Sequence, residues 1–375
     1  MRSASWWSLA PFVVGAFAMA AESSVLTGVL PLLAADLHAD PSHVGQALAI
    51  YPLTYVFGAP LLATLAGGHS QRAACTAGLA VFAAGNLISA SAGSIAVLVV
   101  GRLVASLGAC LYSPNAGARA TTLGPRRRGR ALSIIASGST AAALVGGPAG
   151  VALAGLAGWR MILVFIAGSA VVIAVAHQFS RLTDAPVIGL GFRARVRLLG
   201  DRRLLAILAL TVAVVTAEFV VYTYISVIVG DDPRAVALAL AVFGIGTTAG
   251  TLLGGFLVDR FGWRRMLVTS MAVVATALLC LAFAHTEVLV CACLLVWGVF
   301  GWTFTPAQVN RLFATFEDTG ALLITLNGSA VNLAIATGGL LGGAVLDAAG
   351  TSALPVVGAA LAAGALFMFA ARRPG

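Results

Sequence analysis

The sequence contains no lysine and carries little charge of either sign. All 22 basic residues are arginine, only 13 residues are acidic, and 9% of the 375 residues are charged, against roughly 25% in an ordinary soluble domain. Without lysine, the chain cannot form a Walker A phosphate loop or a lysine Schiff base. The five cysteines and five histidines do not follow the spacing of a metal site. Neither a metal nor a cofactor is therefore expected, and no nucleophile–base pattern indicates an enzyme.

Apolar residues are abundant instead. They make up 60% of the chain, and the mean hydropathy is +1.01. A soluble fold cannot keep so much apolar surface out of water, whereas a lipid bilayer needs it. A helical span takes about 20 apolar residues, and the hydropathy pattern predicts twelve spans between residues 8 and 371. The composition therefore predicts an all-α integral membrane protein with twelve transmembrane helices and no separate soluble domain.

The arginines divide unequally between the two sides of the predicted membrane. Nineteen fall on the side that holds both termini, Arg160 and Arg234 fall on the other side, and Arg102 lies within a span. Positive charge concentrates on the cytoplasmic side of membrane proteins. We therefore expect both termini in the cytoplasm and the chain in the inner membrane. The net charge of +9 is explained by these loops, so no nucleic-acid partner is expected.

The chain divides into two halves that carry a short repeat. We predict an N-terminal six-helix bundle over residues 1–180, a basic cytoplasmic linker over 181–203 and a C-terminal six-helix bundle over 204–375. The pattern Ala-Glu-x-x-Val-x-Thr starts at Ala21 in the first span and again at Ala217 in the seventh, an offset of 196 residues. Two pseudo-symmetric six-helix repeats with a binding site at their interface are a common transporter plan.

Three charged residues, Glu22, Arg102 and Glu218, lie well inside predicted spans. A charge at the bilayer centre costs about 2.5–3.5 kcal/mol on insertion scales, so such residues are usually functional. Their depths allow all three to face one central cavity. We predict that Glu22 and Glu218 bind protons or substrate and that Arg102 modulates them. The alternative is a structural Glu22–Arg102 ion pair that fixes helix packing.

Other polar residues within the spans are candidates for lining a substrate cavity. Each can equally serve in hydrogen bonding between helices. The predicted substrate-binding residues are Tyr51, Tyr55, Tyr112, Asn115, Tyr222, Tyr224, Asn327 and Asn332.

A charged loop follows the predicted eighth span. Its pattern is G-x-L-x-D-R-x-G-x-R-R, formed by Gly255, Leu257, Asp259, Arg260, Gly262, Arg264 and Arg265. This resembles the signature loop of the major facilitator superfamily. Gly262 suits a tight turn, and Asp259 can cap a helix or pair with an arginine across the halves as part of a cytoplasmic gate. The corresponding loop of the first half, Ala66–Arg72, has no aspartate and keeps only Arg72.

Two further patterns strengthen the resemblance. Arg102 with Gly108 is similar to the superfamily's arginine motif for proton coupling, and Gly147-Pro148-Ala149-Gly150 resembles its antiporter motif. Within the superfamily, the chain is most similar to twelve-span drug:proton antiporters of the chloramphenicol-resistance and sugar-efflux type. The segments that carry this likeness are Thr27–Pro31, Ala34–Leu37, Gly58–Leu61 and Tyr222–Ile225, with Asn327 and Asn332.

The resemblance implies a function. A monomer would exchange protons for a small organic compound moving outward by alternating access, as in multidrug efflux and antibiotic resistance. The alternative is an importer or facilitator of the same fold for a sugar, an amino acid or another metabolite.

Overall fold

Twelve long helices form the molecule, which confirms the predicted all-α fold. The computed structural model describes residues 6–123, 128–180, 182–187, 197–230, 232–316 and 320–371. Residues 181 and 188–196 of the predicted linker lie outside the described residues. The twelve helices that are long and apolar enough to cross a membrane, numbered α1 to α12, are Trp6–Gly28, Pro41–Leu65, Gln71–Ala90, Ile95–Leu123, Gly129–Ala157, Trp159–Gln178, Arg202–Tyr222, Pro233–Phe261, Trp263–Ala282, Glu287–Thr315, Leu322–Ala349 and Ala353–Ala371.

Local sequence signals explain where several helices begin. Ser70 accepts a hydrogen bond from the Ala73 amide at the start of α3, and Asp201 accepts one from the Arg203 amide at the start of α7. Such side chains satisfy backbone amides that lack a partner within the helix. The turn between α8 and α9 consists of Gly262 alone, whose φ of 82° is a conformation that glycine adopts without strain. Helices α8 and α9 are therefore joined tightly.

Some helices continue beyond their apolar cores. The sequence places Arg119 and Arg311 in loops, but the structure places them inside α4 and α10. Hydropathy marks only the apolar part of a helix, and both helices extend past it by at least one turn. Conversely, the predicted seventh span is interrupted, because α7 ends at Tyr222 and a separate short helix covers Ile225–Val229.

Helix packing follows the same scheme in α1–α6, the first half, and in α7–α12, the second half. In the first half, α1 packs on α5 and α6, α4 packs on α2 and α3, and α3 packs on α6. In the second half, α7 packs on α11 and α12, α10 packs on α8 and α9, and α9 packs on α12. Between the halves, α2 meets α11 and α5 meets α8. Adding six to each helix number thus converts one set of contacts into the other.

The two halves are hydrogen-bonded to each other at one end of the bundle. We call the end that holds the start of α1 and the end of α12 the termini face, and the other end the opposite face. Near the opposite face, Ser226 donates to the carbonyl of Thr27 at 2.7 Å, and the Tyr224 hydroxyl donates to that of Ser42 at 3.3 Å. Gly45 lies directly against the Tyr224 ring, with no room for a Cβ. The interface between the halves is therefore closed at the opposite face.

Candidate substrate-binding cavity

A cavity of about 370 Å³ lies between the halves. Its wall comes from α1, α2, α4 and α5 of the first half and from α7, α8, α10 and α11 of the second. These sets are again related by adding six to the helix number. The volume falls within the usual range for small-molecule sites, about 300–1,000 Å³.

The cavity wall shows the 196-residue repeat at the level of single residues. Six pairs of lining residues are separated by that offset: Ser23 and Phe219, Leu26 and Tyr222, Thr27 and Thr223, Tyr51 and Thr247, Ser139 and Ile335, and Ala143 and Gly339. Equivalent faces of equivalent helices thus line the cavity, although most of the paired residues differ in chemistry.

The second half supplies an aromatic wall, which consists of Phe219, Tyr222, Phe243 and Trp302. The ring centroids of Phe219 and Tyr222 are 5.4 Å apart, those of Tyr222 and Phe243 5.0 Å, and those of Phe243 and Trp302 5.5 Å. Such contacts hold aromatic side chains in fixed orientations. The wall therefore offers a preformed surface on which a planar group can stack.

The first half supplies most of the hydroxyl groups among the described lining residues, and those of the second half belong to Tyr222, Thr223, Thr247 and Thr251. The hydroxyl-bearing lining residues of the first half are Ser23, Ser24, Thr27, Tyr51, Ser139 and Thr140. The second half adds an amide at Asn332, whose Nδ2 donates to the carbonyl of Gly328 at 3.0 Å within α11. Hydroxyls both donate and accept hydrogen bonds. This side of the cavity can therefore bind the hydroxyl, amide or carbonyl groups of a ligand.

Glu22 and Arg102 form a buried ion pair beside the cavity. Arg102 Nη1 and Nη2 each contact one carboxylate oxygen of Glu22, the latter at 3.2 Å, and both side chains are at most 2% exposed. The guanidinium carbon of Arg102 lies 4.5 Å from the centre of the Tyr51 ring, a cation–π distance. Arg102 lines the cavity, whereas Glu22 lies behind it. The direct Glu22–Arg102 ion pair, which the sequence analysis gave as the alternative, is thus present in the structure. The pair also lies next to the candidate site.

Glu218 occupies the repeat-related position of Glu22 but forms no ion pair with any basic residue that the structure describes. Its side chain is buried, and Oε1 has no hydrogen-bond partner among the described residues. It faces Gly301 of α10, where an added Cβ would lie 2.7 Å from Oε1. The Trp297 side chain is next to Gly301, and its indole nitrogen also has no partner in the described chain. A carboxyl and an indole N–H are therefore buried close together behind the aromatic wall.

The structure brings together only part of the predicted binding set. Tyr51, Tyr222 and Asn332 line the cavity. Tyr55 and Asn327 do not, and the Asn327 side chain accepts a hydrogen bond from Thr211 at 2.9 Å. Three lining residues thus come from three helices, and these two lie outside the wall.

The remaining three candidates are also outside the cavity wall. Tyr112 is buried within the first half, where its hydroxyl lies 3.3 Å from His177 Nε2. Asn115 donates to the carbonyl of Leu111 in its own helix at 2.7 Å. Tyr224 donates to the carbonyl of Gly339 at 2.8 Å. Their polar atoms are engaged in contacts within or between helices.

The charged loop after α8 is exposed. Gly262 forms the turn, Asp259, Arg264 and Arg265 are solvent-accessible, and Arg260 lies over the ring of Phe261 at 5.7 Å. In the described ranges, Asp259 forms no ion pair. The contact across the halves that the sequence suggested for Asp259 is not seen among the described residues, in which the halves are hydrogen-bonded at the opposite face.

The Gly-Pro motif shapes α5 where it meets α1. A π-helical turn covers Ala142–Gly146, immediately before Gly147 and Pro148. Proline lacks the backbone N–H that an α-helix requires, and π turns are one way in which helices accommodate such interruptions. Gly150 lies against Val25 of α1 with no room for a Cβ. The motif therefore allows α5 to approach α1 closely beside the cavity.

Several lining residues were not predicted from the sequence. They include the aromatic residues Phe219, Phe243 and Trp302 and the serines of α1. Aromatic and small hydroxyl residues occur in many spans, so their type alone gives no reason to select them. The 196-residue repeat is the signal that identifies some of them, because it relates Ser23 to Phe219.

Comparison with known proteins gives matches along the whole chain. A sequence model of the Major Facilitator Superfamily matches residues 12–230 and 204–375. The inner membrane transport protein YdhP of Escherichia coli (strain K12) is 29% identical over 383 residues, covering 98% of this chain and 97% of that protein. The chloramphenicol resistance protein of Streptomyces lividans is 31% identical over 256 residues, covering 66% and 65%.

Two further matches extend the comparison. The "Probable sugar efflux transporter" of Helicobacter pylori (strain G27) is 25% identical over 362 residues, covering 95% of this chain and 92% of that protein. Among solved structures, the crystal structure of a D-xylose-proton symporter superposes with a TM-score of 0.77 at 15% identity, covering 98% of both chains. The structural match shows the same fold. The relatives confirm the resemblance drawn from the motifs.

Proposed function

This chain belongs to the major facilitator superfamily, and on that premise we propose that it exports a small uncharged organic compound in exchange for protons. It is a secondary transporter and a multi-pass protein of the inner membrane. Alternating access between the two halves moves the compound from the cytoplasm to the outside. Both termini lie in the cytoplasm, and the cavity closed at the opposite face represents the inward-facing state.

The charge balance of the cavity wall is the observation that supports an uncharged substrate. Among the described lining residues, Arg102 is the one ionisable group with a charge at neutral pH, and Glu22 neutralises it. A cation would meet no unpaired carboxylate in the wall, and an anion would meet a guanidinium that is already occupied. Moving an unpaired charge into such a site is costly. The aromatic wall and the hydroxyl groups suit a compound with a planar group and several polar groups.

Glu22 and Glu218 are the proposed proton carriers. An ionised carboxylate without a partner is costly inside a membrane protein, so we infer that Glu218 holds a proton in this conformation. Glu22 is paired with Arg102 within the first half, and a proton on Glu22 would break this pair and free the guanidinium of Arg102, which lines the cavity. The two carboxylates therefore support coupling of proton release to one conformation and proton uptake to the other.

The proposed outward direction of transport is supported by the names of two relatives. One is named a chloramphenicol resistance protein and the other a probable sugar efflux transporter. Chloramphenicol is uncharged and combines a nitrophenyl ring with hydroxyl and amide groups, which matches the two walls of the cavity. The drug is therefore the first candidate substrate.

Transport by everted membrane vesicles tests this function. We expect a proton gradient, acid inside, to drive chloramphenicol into vesicles that contain the protein. A permanently charged lipophilic cation such as tetraphenylphosphonium should not accumulate. Vesicles without the protein provide the baseline. Accumulation of the cation with exclusion of chloramphenicol would contradict the proposed substrate class, and uptake that ignores the gradient would contradict proton coupling.

A sugar transporter is the second candidate function. The hydroxyl-rich wall of the first half favours it, because sugars are bound through many hydrogen bonds together with aromatic stacking. Importers and facilitators of sugars, amino acids and other metabolites also share this fold. Accumulation of a labelled hexose in the same everted vesicles would indicate a sugar exporter, and counterflow without a proton gradient would indicate a facilitator.

Tyr222→Ala is expected to weaken substrate binding. Tyr222 is in the aromatic wall and contacts Phe219 and Phe243. An aromatic contact is worth about 0.5–1.5 kcal/mol beyond its buried area, so the KM for export should rise roughly two- to thirteenfold. Tyr55→Ala removes a tyrosine from outside the wall and is the matched control. Equal KM values for the two variants would remove Tyr222 from the site.

Asp259→Asn is expected to slow transport with little change in KM. Asp259 is exposed at the termini face and is not among the residues that line the cavity. In the outward-facing state the termini face must close, and an acidic residue there can form contacts that the present conformation lacks. The control is Asp347→Asn. Asp347 is an exposed residue near the C-terminal end of α11, at the opposite face. An unchanged maximal rate in vesicles would exclude Asp259 from the gate.

A further inference from the structure

Part of the linker after α6 is bound to the turn between α2 and α3. Three backbone hydrogen bonds join the two segments. Gly68 N donates to Val187 O at 3.2 Å, Val187 N donates to His69 O at 2.8 Å, and Gln71 N donates to Ala185 O at 3.0 Å. We call Leu182–Val187 the strap. Its backbone is thus paired to a turn more than 110 residues earlier in the chain.

Asp184 connects the strap to the start of α3. The Ser70 hydroxyl donates to Oδ2 at 2.6 Å, and the Arg72 amide donates to Oδ1 at 2.9 Å. Ser70 itself accepts from the Ala73 amide at 3.1 Å. The carboxylate therefore sits at the N-terminus of α3, where free amides and the helix dipole stabilise negative charge.

The Arg72 side chain joins the start of α3 to the end of α6. Its Nη2 donates to the carbonyl of Ser180 at 3.2 Å, and its Nη1 donates to that of Gln178 at 3.5 Å. The Gln178 amide in turn donates to Thr76 Oγ1 at 2.6 Å. The end of α6, the strap and the start of α3 thus form one hydrogen-bonded unit at the termini face.

A buried arginine lies behind this unit. Arg119 of α4 is fully buried, and none of its three guanidinium nitrogens has a hydrogen-bond partner among the described residues. Its neighbours are the Cys75 thiol and the ring of Phe12, whose centre is 5.5 Å from the guanidinium carbon. Among the described residues, the carboxylate whose charge acts on Arg119 is that of Asp184.

The charge of Arg119 also affects the pKa of the Asp184 carboxyl. Asp184 is exposed, and some desolvation of its carboxyl opposes ionisation, but hydrogen bonds from Ser70 and the Arg72 amide, together with the charges of Arg119 and Arg72, hold the pKa of the Asp184 carboxyl below its usual value. Asp184 is therefore ionised at neutral pH. It supplies a negative charge at a turn whose own sequence, Ala66–Arg72, contains no acidic residue.

We propose that Asp184 is a positioning residue for transport, which fixes the strap to the α2–α3 turn and balances the charge of Arg119 in place of an acidic residue in the loop. Every contact named above is made within the first half or between the strap and the first half. The unit therefore moves with that half as one body when the cavity opens and closes. This role in transport depends on the proposed function, whereas the attachment of the strap does not.

Hydrogen exchange tests the attachment in protein reconstituted into lipid nanodiscs. In Asp184→Ala, the amides of Gly68, Gln71 and Val187 should exchange faster than in the original protein. Asp201→Ala is the matched control, because Asp201 caps the start of α7, and its side chain has no hydrogen bond to the turn among the described residues. Unchanged exchange at the turn in Asp184→Ala would overturn the proposal.

Export kinetics test the role in transport. Asp184→Ala should lower the maximal rate several-fold at an unchanged KM, and Asp184→Glu should restore part of it. Loss of amide protection without any change in rate would overturn the transport role and leave Asp184 as a purely structural residue. If the original protein exports nothing, the proposed function fails, while the exchange comparison still decides the attachment.

A double-mutant cycle tests the charge balance. Residues that interact show non-additive effects on stability. Asp184→Asn should lower the melting temperature of the original protein and should lower it much less in an Arg119→Met background, where no buried charge needs balancing. Arg119→Gln is the second background if the methionine variant does not fold. Equal losses in all backgrounds would overturn the link between Asp184 and Arg119.

Discussion

Glu22→Gln is expected to reduce proton-driven export at least about tenfold, the rate factor that corresponds to about 1.4 kcal/mol. Both terminal nitrogens of Arg102 bind the Glu22 carboxylate. Glutamine fills the same volume and keeps one acceptor oxygen, but it cannot take up a proton. Its amide group also faces the guanidinium with a donor where the carboxylate presents an acceptor. Coupling should therefore be lost while the helices remain packed.

The measurement is gradient-driven chloramphenicol uptake into everted vesicles. Glu287→Gln is the matched control, since Glu287 is exposed in the first turn of α10 and makes the same chemical change at the surface. Gel filtration of the purified variants verifies that both remain folded and monodisperse. Export by Glu22→Gln at the rate of the control would exclude Glu22 from proton coupling.

Glu218→Gln is expected to abolish the proton release that accompanies substrate binding. The Glu218 carboxyl is buried, and its Oε1 has no partner in the described chain. A neutral acid and a neutral amide have nearly the same shape, so the pocket beside Gly301 should accept glutamine. The aromatic wall in front of it would remain in place. Substrate affinity should therefore persist, and coupling through this site should be lost.

Purified protein in detergent with a pH-sensitive dye gives the readout. Chloramphenicol should release protons from the original protein and from Glu287→Gln, but not from Glu218→Gln. Binding followed by quenching of tryptophan fluorescence shows whether affinity is retained. Proton release from Glu218→Gln equal to that of the control would assign coupling to another group.

The overall fold was predictable because it depends on quantities that add along the chain. Apolar content and the length of apolar stretches predict twelve spans, and all twelve are present. The ends of helices depend instead on particular groups. Arg119 continues α4 because it is buried against Phe12 and Cys75, and Arg311 continues α10 because it lies near the rings of Trp263 and Phe369. These are tertiary contacts, which a hydropathy profile does not contain.

The candidate site was only partly predictable. Intramembrane charge identifies Glu22, Arg102 and Glu218, because burial of charge is costly wherever a helix points. The presence of a charge does not show which of the three residues faces the cavity. In the structure, Arg102 lines the cavity and the two glutamates do not. Tyr112 and Tyr222 are both tyrosines within predicted spans, yet one packs on His177 and the other lines the cavity. The distinction depends on the rotation of each helix about its axis.

The π-helical turn in α5 has a consequence for that rotation. A π turn holds one residue more than the α-helical turn it replaces, and each residue of a helix turns the chain by about 100°. The extra residue therefore rotates residues 129–141 about the helix axis by about 100° relative to Gly147–Ala157. Ser139 and Thr140 face the cavity while Gly150 faces α1. Conversion of the turn to regular α-helix would move both hydroxyls out of the wall, so the angular position of half of α5 depends on a single turn of five residues.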